Sequence, residues 1–334
     1  MHAPEQEVLE HAITWLQAGH RVHLCTVVRT WGSSPRLPGA MLALRDDGQL
    51  LGSVSGGCIE DELIDRARNG RLPEINGLLE YGVTRDEAQR YGIPCGGRLQ
   101  IFVERVTEAG RLQPILDSLR QRKLLRRSVR LDTNEVVLGD AMPGTVACLE
   151  DDWFHHYFGP QWRLLVIGAN QLGAMLASMA QALEFNVLLC DPREEIRAQW
   201  QVEGVQWCAG MPDDVVLDIV PDAYTAIVAV THDPKLDDMA LLEALRSEAF
   251  YVGALGSTLN QAKRRERLRM FDLNDEEIGR LHGPVGLAIG SRTPAEIAVA
   301  ILAEIIQIRS QQRAAALTSQ SIAHALSAGS VCAS

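Results

Sequence analysis

Residues 163–173, RLLVIGANQLG, decide how the second half of this chain is read. Arg163 to Ile167 is an apolar run of strand length, Gly168 supplies a turn, and Leu172 to Leu183 continues at helical spacing. Asn186 to Cys190 returns as a second strand and ends at Asp191, 18 residues beyond Gly173. This βαβ pattern is that of a dinucleotide site: the first glycine makes the turn, the N–H groups opening the helix face a pyrophosphate, and the acid accepts a ribose hydroxyl. The second glycine of the fingerprint is here Asn170, whose Cβ and carboxamide occupy the approach to the pyrophosphate. NAD(P) is therefore the less favoured ligand. A Rossmann-like domain whose loop binds nothing is the bland alternative.

Downstream, Tyr224–Val230, Leu236–Leu245, Phe250–Ala254, Thr258–Met270 and Pro294–Ile308 keep strand and helix alternating, which predicts a doubly wound parallel sheet. Thr231 and His232 follow one strand and Gly256 and Ser257 another, at carboxyl ends where such sheets bind ligands. His232 reads equally well as a helix-capping neighbour with no chemical role.

Upstream the pattern is mixed α/β. A helix over 5–18 precedes strand-like runs at Val22–Thr30, Ala40–Arg45, Gln49–Ser55 and Arg98–Val106, with helices at Asp61–Arg68 and Gln113–Lys123. The turn-rich stretch 151–160, DDWFHHYFGP, marks the boundary. We expect domains at 1–155 and 160–315, with a flexible tail at 316–334.

Two cysteines in the first half share a setting: Ser55-Gly56-Gly57-Cys58 leads into a helix, and Cys95-Gly96-Gly97 precedes a strand. Glycines clear side chains from around each sulfur, so both thiols are expected to be exposed. A helix start favours the Cys58 thiolate, whereas Glu60, Asp61 and Glu62 oppose it. Such thiolates bind sulfur or a soft metal, or are merely small residues in tight turns. Ser33, Ser34 and Arg36, in the loop TWGSSPR, offer hydroxyls and a guanidinium to an oxyanion, or simply form an elaborate turn. Cys25, Cys190 and Cys208 read as packing residues, and the basic runs Arg120–Arg130 and Lys263–Arg269 as solvated faces.

Composition narrows the classes. Lys and Arg total 32 against 43 Asp and Glu, a net charge of −11, so no overall field draws the chain to nucleic acid or to anionic lipid. An odd count of seven cysteines without CxxC spacing argues against a disulfide framework or zinc knuckle. No basic-then-apolar leader or membrane-length run is seen, and a cytoplasmic location is expected.

Through TWGSSPRLPGAML (30–42), GSVSGGCIEDEL (52–63) and CGGRLQIFVE (95–104), the first half resembles the XdhC/CoxI family, accessory factors of xanthine dehydrogenase and related molybdenum hydroxylases. The second half resembles that family's Rossmann domain through VIGANQLG, CDPRE, VAVTHDPKLD, YVGALGS and LHGPVGLAIGSRTPAEIAVAILAEI; Asn170 departs from the glycine common in its loop. The resemblance implies a chaperone, not an enzyme. It would bind and protect molybdopterin, in its mononucleotide or cytosine dinucleotide form, support its sulfuration with a cysteine desulfurase, and insert it into an apo-molybdenum hydroxylase. A cofactor cytidylyltransferase is a further implied partner, and a homodimer is expected from the long apolar last helix.

On matching positions, Cys58 and Cys95 would stand near molybdenum or the transferred sulfur, and Ser33, Ser34 and Arg36 would contact anions. Gly168, Gly173 and Asp191 would hold the nucleotide end, with Arg193, Arg292 and Thr293 nearby. Two other readings stay open: an NAD(P)-dependent oxidoreductase with a catalytic thiol, and a nucleotide-sensing interaction protein.

Overall fold

The computed structural model describes residues 4–31, 36–82, 98–142, 144–231 and 233–329, with residues 58, 313 and 315–329 in backbone only. The chain divides into two compact units, one ending at Pro160 and one running from Gln161 to Ala315.

Among the described residues, the first unit contains a five-stranded antiparallel sheet in the order β3-β2-β1-β5-β4. Its strands are β1 (Val22–Trp31), β2 (Met41–Arg45), β3 (Leu50–Gly52), β4 (Asn76–Tyr81) and β5 (Arg98–Val106). Side chains alternate across a strand, so β1 sends Val22 and Leu24 to one face, against helices α1 (Pro4–Gln17) and α3 (Gln113–Arg120). Cys25 and Val27 go to the other face, against α2 (Cys58–Arg68). Both faces are covered, which is why the run from Val22 to Val28 is buried without a break.

A four-stranded sheet follows in the order β7-β6-β9-β8, from β6 (Leu125–Arg130), β7 (Val136–Gly139), β8 (Cys148–Glu150) and β9 (Trp153–Phe158). The stretch 151–160, read from sequence as a turn-rich boundary, thus carries a strand of this sheet. Its alternation, with Phe154, His156 and Phe158 inward, is the strand signal that the aromatic composition concealed. Arg127 of β6 is likewise no part of a solvated face. Its guanidinium donates to both Glu104 carboxylate oxygens, at 2.7 and 2.5 Å, and both side chains are buried.

The second unit is the expected parallel α/β sheet. Its six strands among the described residues are β10 (Arg163–Ile167), β11 (Asn186–Cys190), β12 (Gln206–Cys208), β13 (Thr225–Ala229), β14 (Tyr251–Ala254) and β15 (Leu281–His282). They run in the order β12-β11-β10-β13-β14-β15, the Rossmann arrangement, with the order reversing between β10 and β13. Leu164 and Val166 face a core shared with α4 (Gln171–Ala182) and the last helix, while Leu165 and Ile167 face one shared with three helices on the other side. Those three are α6 (Pro212–Ile219), α7 (Pro234–Arg246) and α8 (Thr258–Met270); α5 (Glu194–Arg197) and α9 (Asp275–Gly279) are short helices, of which α9 adds Ile278 to the same core. The last helix, α10 (Pro294–Gly329), is tied to the sheet by Glu304, which accepts from the Tyr251 hydroxyl at 2.5 Å and the Gly286 N–H at 2.8 Å.

Candidate cofactor site

Crowding at the turn after β10 explains its glycines. Gly168 has φ +118°, and a Cβ there would lie 3.0 Å from the Thr231 nitrogen, at the end of β13. A Cβ on Gly173 would come within 2.2 Å of the Gly168 carbonyl oxygen, so the start of α4 can lie this close to the turn only without a side chain. The Gly168 N–H donates to the Cys190 carbonyl at 2.8 Å and the Ala169 N–H to Asp191 Oδ2 at 2.8 Å, which hangs the turn on the end of β11.

Asn170 caps α4. Its Oδ1 accepts from the Gly173 N–H at 2.9 Å and its Nδ2 donates to the Val230 carbonyl at 2.6 Å, bridging the point where strand order reverses. The carboxamide thereby satisfies a donor that a pyrophosphate would otherwise take. Asn170→Gly is expected to destabilise the second unit by about 1 kcal/mol, through the lost cap and the lost bridge, while improving NADH binding. Urea melts and NADH fluorescence titration test this; unchanged NADH affinity would reduce Asn170 to a helix cap.

Asp191 is buried, at 3% exposure, and its oxygens are already engaged. Oδ1 accepts from the Arg193 N–H and Nε, and Oδ2 from Ala169 and Arg193 Nη2. Burial acts to raise its pKa, but the hydrogen bonds from Arg193 and Ala169 outweigh that and hold it below the usual carboxylate value. A ribose hydroxyl would have to displace Arg193, whose side chain is about half exposed.

Thr231 links this turn to a cavity of about 270 Å³ lined by Thr231, Pro234, Asp237, Leu255, Gly256, Asn260, Lys263, Arg264 and Arg267. It opens beyond the carboxyl ends of β13 and β14, in the position that parallel sheets of this kind use for ligands. Asp237 accepts from the Thr231 hydroxyl at 2.7 Å and from Arg264 at 2.8 Å; burial pushes its pKa up, against these contacts. Arg264 also donates to Asp238 and to the Leu255 carbonyl. Arg267 Nε donates to Asp238 at 2.6 Å, whereas Lys263 is exposed and has no hydrogen-bond or ion-pair partner among the described residues. The cavity therefore presents cationic groups to a ligand.

Sequence reasoning placed Thr231 and Gly256 here but missed Asn260, Lys263, Arg264 and Arg267, having taken 263–269 for a solvated face. Arg264 is 5% exposed. Its carboxylate partners at 237 and 238 lie on the preceding helix, and no spacing within α8 announces them. Ser257 accepts from the Asn260 N–H as the cap of α8, and Thr293 caps α10. Arg292 and Thr293 do not line the cavity.

In the first unit, Glu60 organises the other candidate turn. Its carboxylate accepts from the N–H groups of Val54, Ser55, Gly56 and Gly57, at 2.8 to 3.0 Å, and from the hydroxyls of Ser53 and Ser55. Burial would raise its pKa, but these donors outweigh burial and hold it at about 2. No described atom lies within 4 Å of a Cβ built on Gly56 or Gly57. Cys58 is the first residue of α2, and its side chain lies outside the described set. Arg36 is exposed; Ser33, Ser34, Cys95, Gly96, Gly97 and His232 lie outside the described residues.

Comparison with known proteins agrees with both units. The model of the XdhC and CoxI family matches residues 15–82, and that of the XdhC Rossmann domain matches residues 164–305. The chain is 27% identical to the molybdenum cofactor insertion chaperone PaoD of Escherichia coli over 93% of each chain. It is 25% identical to a Bacillus subtilis protein described as a probable xanthine dehydrogenase subunit, over 86% of this chain and 92% of that one. A solved Bacillus halodurans chain described as a xanthine dehydrogenase shares the fold, with a TM-score of 0.72, 23% identity, and coverage of 91% of this chain and 96% of that one. With family models matching in both units and similarity along nearly its whole length, the chain belongs to the XdhC/CoxI family.

Proposed function

We propose that this chain is a maturation factor: it takes the molybdenum cofactor as cargo, protects it and delivers it to an apo-molybdenum hydroxylase of the xanthine dehydrogenase type. The observation that carries this reading is the cationic cavity beside the Gly168 turn, in a chain similar to a cofactor insertion chaperone over 93% of both lengths. A phosphate-bearing ligand suits Lys263 and the free edge of Arg267, with Gly168, Asn170, Gly173, Thr231, Gly256 and Ser257 framing its approach and Arg193 as a further cation. Arg292 and Thr293 are assigned a lesser part.

In the first unit we assign Cys58 and Cys95 to the transferred sulfur or to molybdenum, with Ser55, Gly56, Gly57, Gly96 and Gly97 keeping their surroundings open. Ser33, Ser34 and Arg36 would take an oxyanion. The cytosine dinucleotide form of the cargo, sulfuration with a cysteine desulfurase, contact with a cytidylyltransferase, homodimerisation and a cytoplasmic setting belong to the same proposal. Among the described residues no helix is long and apolar enough to cross a membrane.

The test is to purify the protein from cells able and unable to make the cofactor, and to assay molybdenum, fluorescent oxidised pterin and NAD(P)H turnover. Pterin bound without turnover is the expected result; turnover without pterin would establish the oxidoreductase instead. Lys263→Gln, which breaks no internal contact, is expected to weaken pterin retention at least about tenfold, as losing one charge-assisted contact should. Unchanged retention would remove the cavity from the site.

A further inference from the structure

Cys190 and Cys208 end neighbouring parallel strands and are direct register partners, Cys190 opposite Cys208. Both side chains belong to the same apolar cluster, so they project from the same face of the sheet. Cys190 is fully buried and Cys208 half-buried, on the edge strand, and both are free thiols. The Cys190 Sγ lies 3.9 Å from the Gly210 carbonyl, two residues beyond Cys208, so it leans toward β12. Neighbouring strands stand about 4.8 Å apart, inside the window of roughly 4.4–6.8 Å between the Cα atoms of bridged cysteines. Sequence spacing could not show this, because 17 residues separate the two cysteines.

We propose that Cys190 and Cys208 form a reversible disulfide, a redox-responsive bond between β11 and β12 at the foot of the Gly168 turn. The oxidant is a small-molecule disulfide such as glutathione disulfide. Cys208, the more accessible thiol, gives up its proton and attacks one glutathione sulfur, releasing one glutathione thiolate and leaving a mixed disulfide. Cys190 then gives up its proton and attacks the Cys208 sulfur, releasing the second thiolate. The two protons end on the two glutathione thiols, and two electrons pass from the protein to the oxidant.

Burial pushes Cys190 up to about 12 and raises Cys208 as well, so the thiolates are scarce at neutral pH. Formation is accordingly slow, whereas the product, built from poor leaving thiolates, resists reduction. The bond would bear on the turn because Cys190 accepts the Gly168 N–H through its carbonyl and Asp191, next along, accepts that of Ala169. This inference stands apart from the cofactor reading.

The full chain, reduced and then incubated with excess glutathione disulfide, would be quenched by alkylation and mapped by peptide mass spectrometry. The expected result is a linked peptide pair joining 190 to 208, reversed by dithiothreitol, with slower amide exchange at Gly168 and Ala169. Cys208→Ser should abolish the linkage and the exchange change together while leaving the fold intact, since its side chain is only half-buried. The inference is overturned if Cys190 and Cys208 stay alkylatable after the other thiols have reacted. It also fails if Cys208 stops at the glutathione adduct, or if the linked protein exchanges at Gly168 and Ala169 as the reduced one does.

Discussion

Gly173→Ala is expected to abolish pterin retention and to destabilise the second unit by about 3 kcal/mol, because the added Cβ has nowhere to go. It would sit 2.2 Å from the Gly168 carbonyl oxygen, a backbone atom. That oxygen has little room to retreat: Gly168 is bonded through its N–H to Cys190, and it lies so close to Thr231 that a Cβ added to it would be 3.0 Å from the Thr231 nitrogen. The helix must therefore shift off the turn, carrying the Asn170 cap with it. A melting point lower by roughly 6–12 °C is the size to look for. Gly279→Ala is the control, since a Cβ at the end of α9 meets nothing within 4 Å and should be neutral or slightly stabilising. Equal melting of the two variants would show that the packing at Gly173 is softer than described.

Glu60→Gln is expected to cost the first unit about 3 kcal/mol near neutral pH, and the cost should shrink as the solution is acidified. The sign follows from the carboxylate's direction of shift. Its ordinary value is 4.5 and its folded value about 2, so the charged form is favoured by folding. That contribution is fully present above pH 4.5 and is lost as pH falls from there through about 2. Glutamine offers one acceptor oxygen where the carboxylate offers two, and its NH2 group would confront N–H donors of the turn. The gap in urea midpoint between wild type and variant, followed from about pH 7 to about pH 2.5, checks this, together with faster amide exchange at Val54 to Gly57 in the variant. A gap independent of pH would mean that the lost hydrogen bonds are not charge-assisted.

His156 marks where sequence reading ran out in the first unit. Its burial, which pushes its pKa down to about 3, arises because it lies on the inward side of β9, in a stretch whose turn-forming neighbours masked the alternation. Arg127 and Arg264 were hidden for a related reason. A basic residue in a charged run looks solvated until its carboxylate is known, and Glu104, Asp237 and Asp238 reach them from other elements. By contrast, Gly168, Asn170 and Asp191 were legible at once. Their contacts within residues 163–191 lie on a strand, turn, helix and strand contiguous in the chain, so local spacing encodes that part of their geometry, whereas the bond from Asn170 to Val230 and the approach of Gly168 to Thr231 come from the neighbouring strand.

What the sequence determined by itself was the strand–helix–strand unit around Gly168, the parallel sheet and the location of the dinucleotide-like turn, because hydrophobic period and glycine placement are properties of short windows. What only the tertiary structure decided was occupancy. It showed that Asp191 is already held by Arg193, that Glu60 fills the ring of N–H donors before Cys58, that α8 turns its cations toward a cavity, and that two cysteines 18 positions apart meet in register. Each of these depends on which groups are brought within about 3–5 Å by chain folding, a distance that separation along the sequence does not encode.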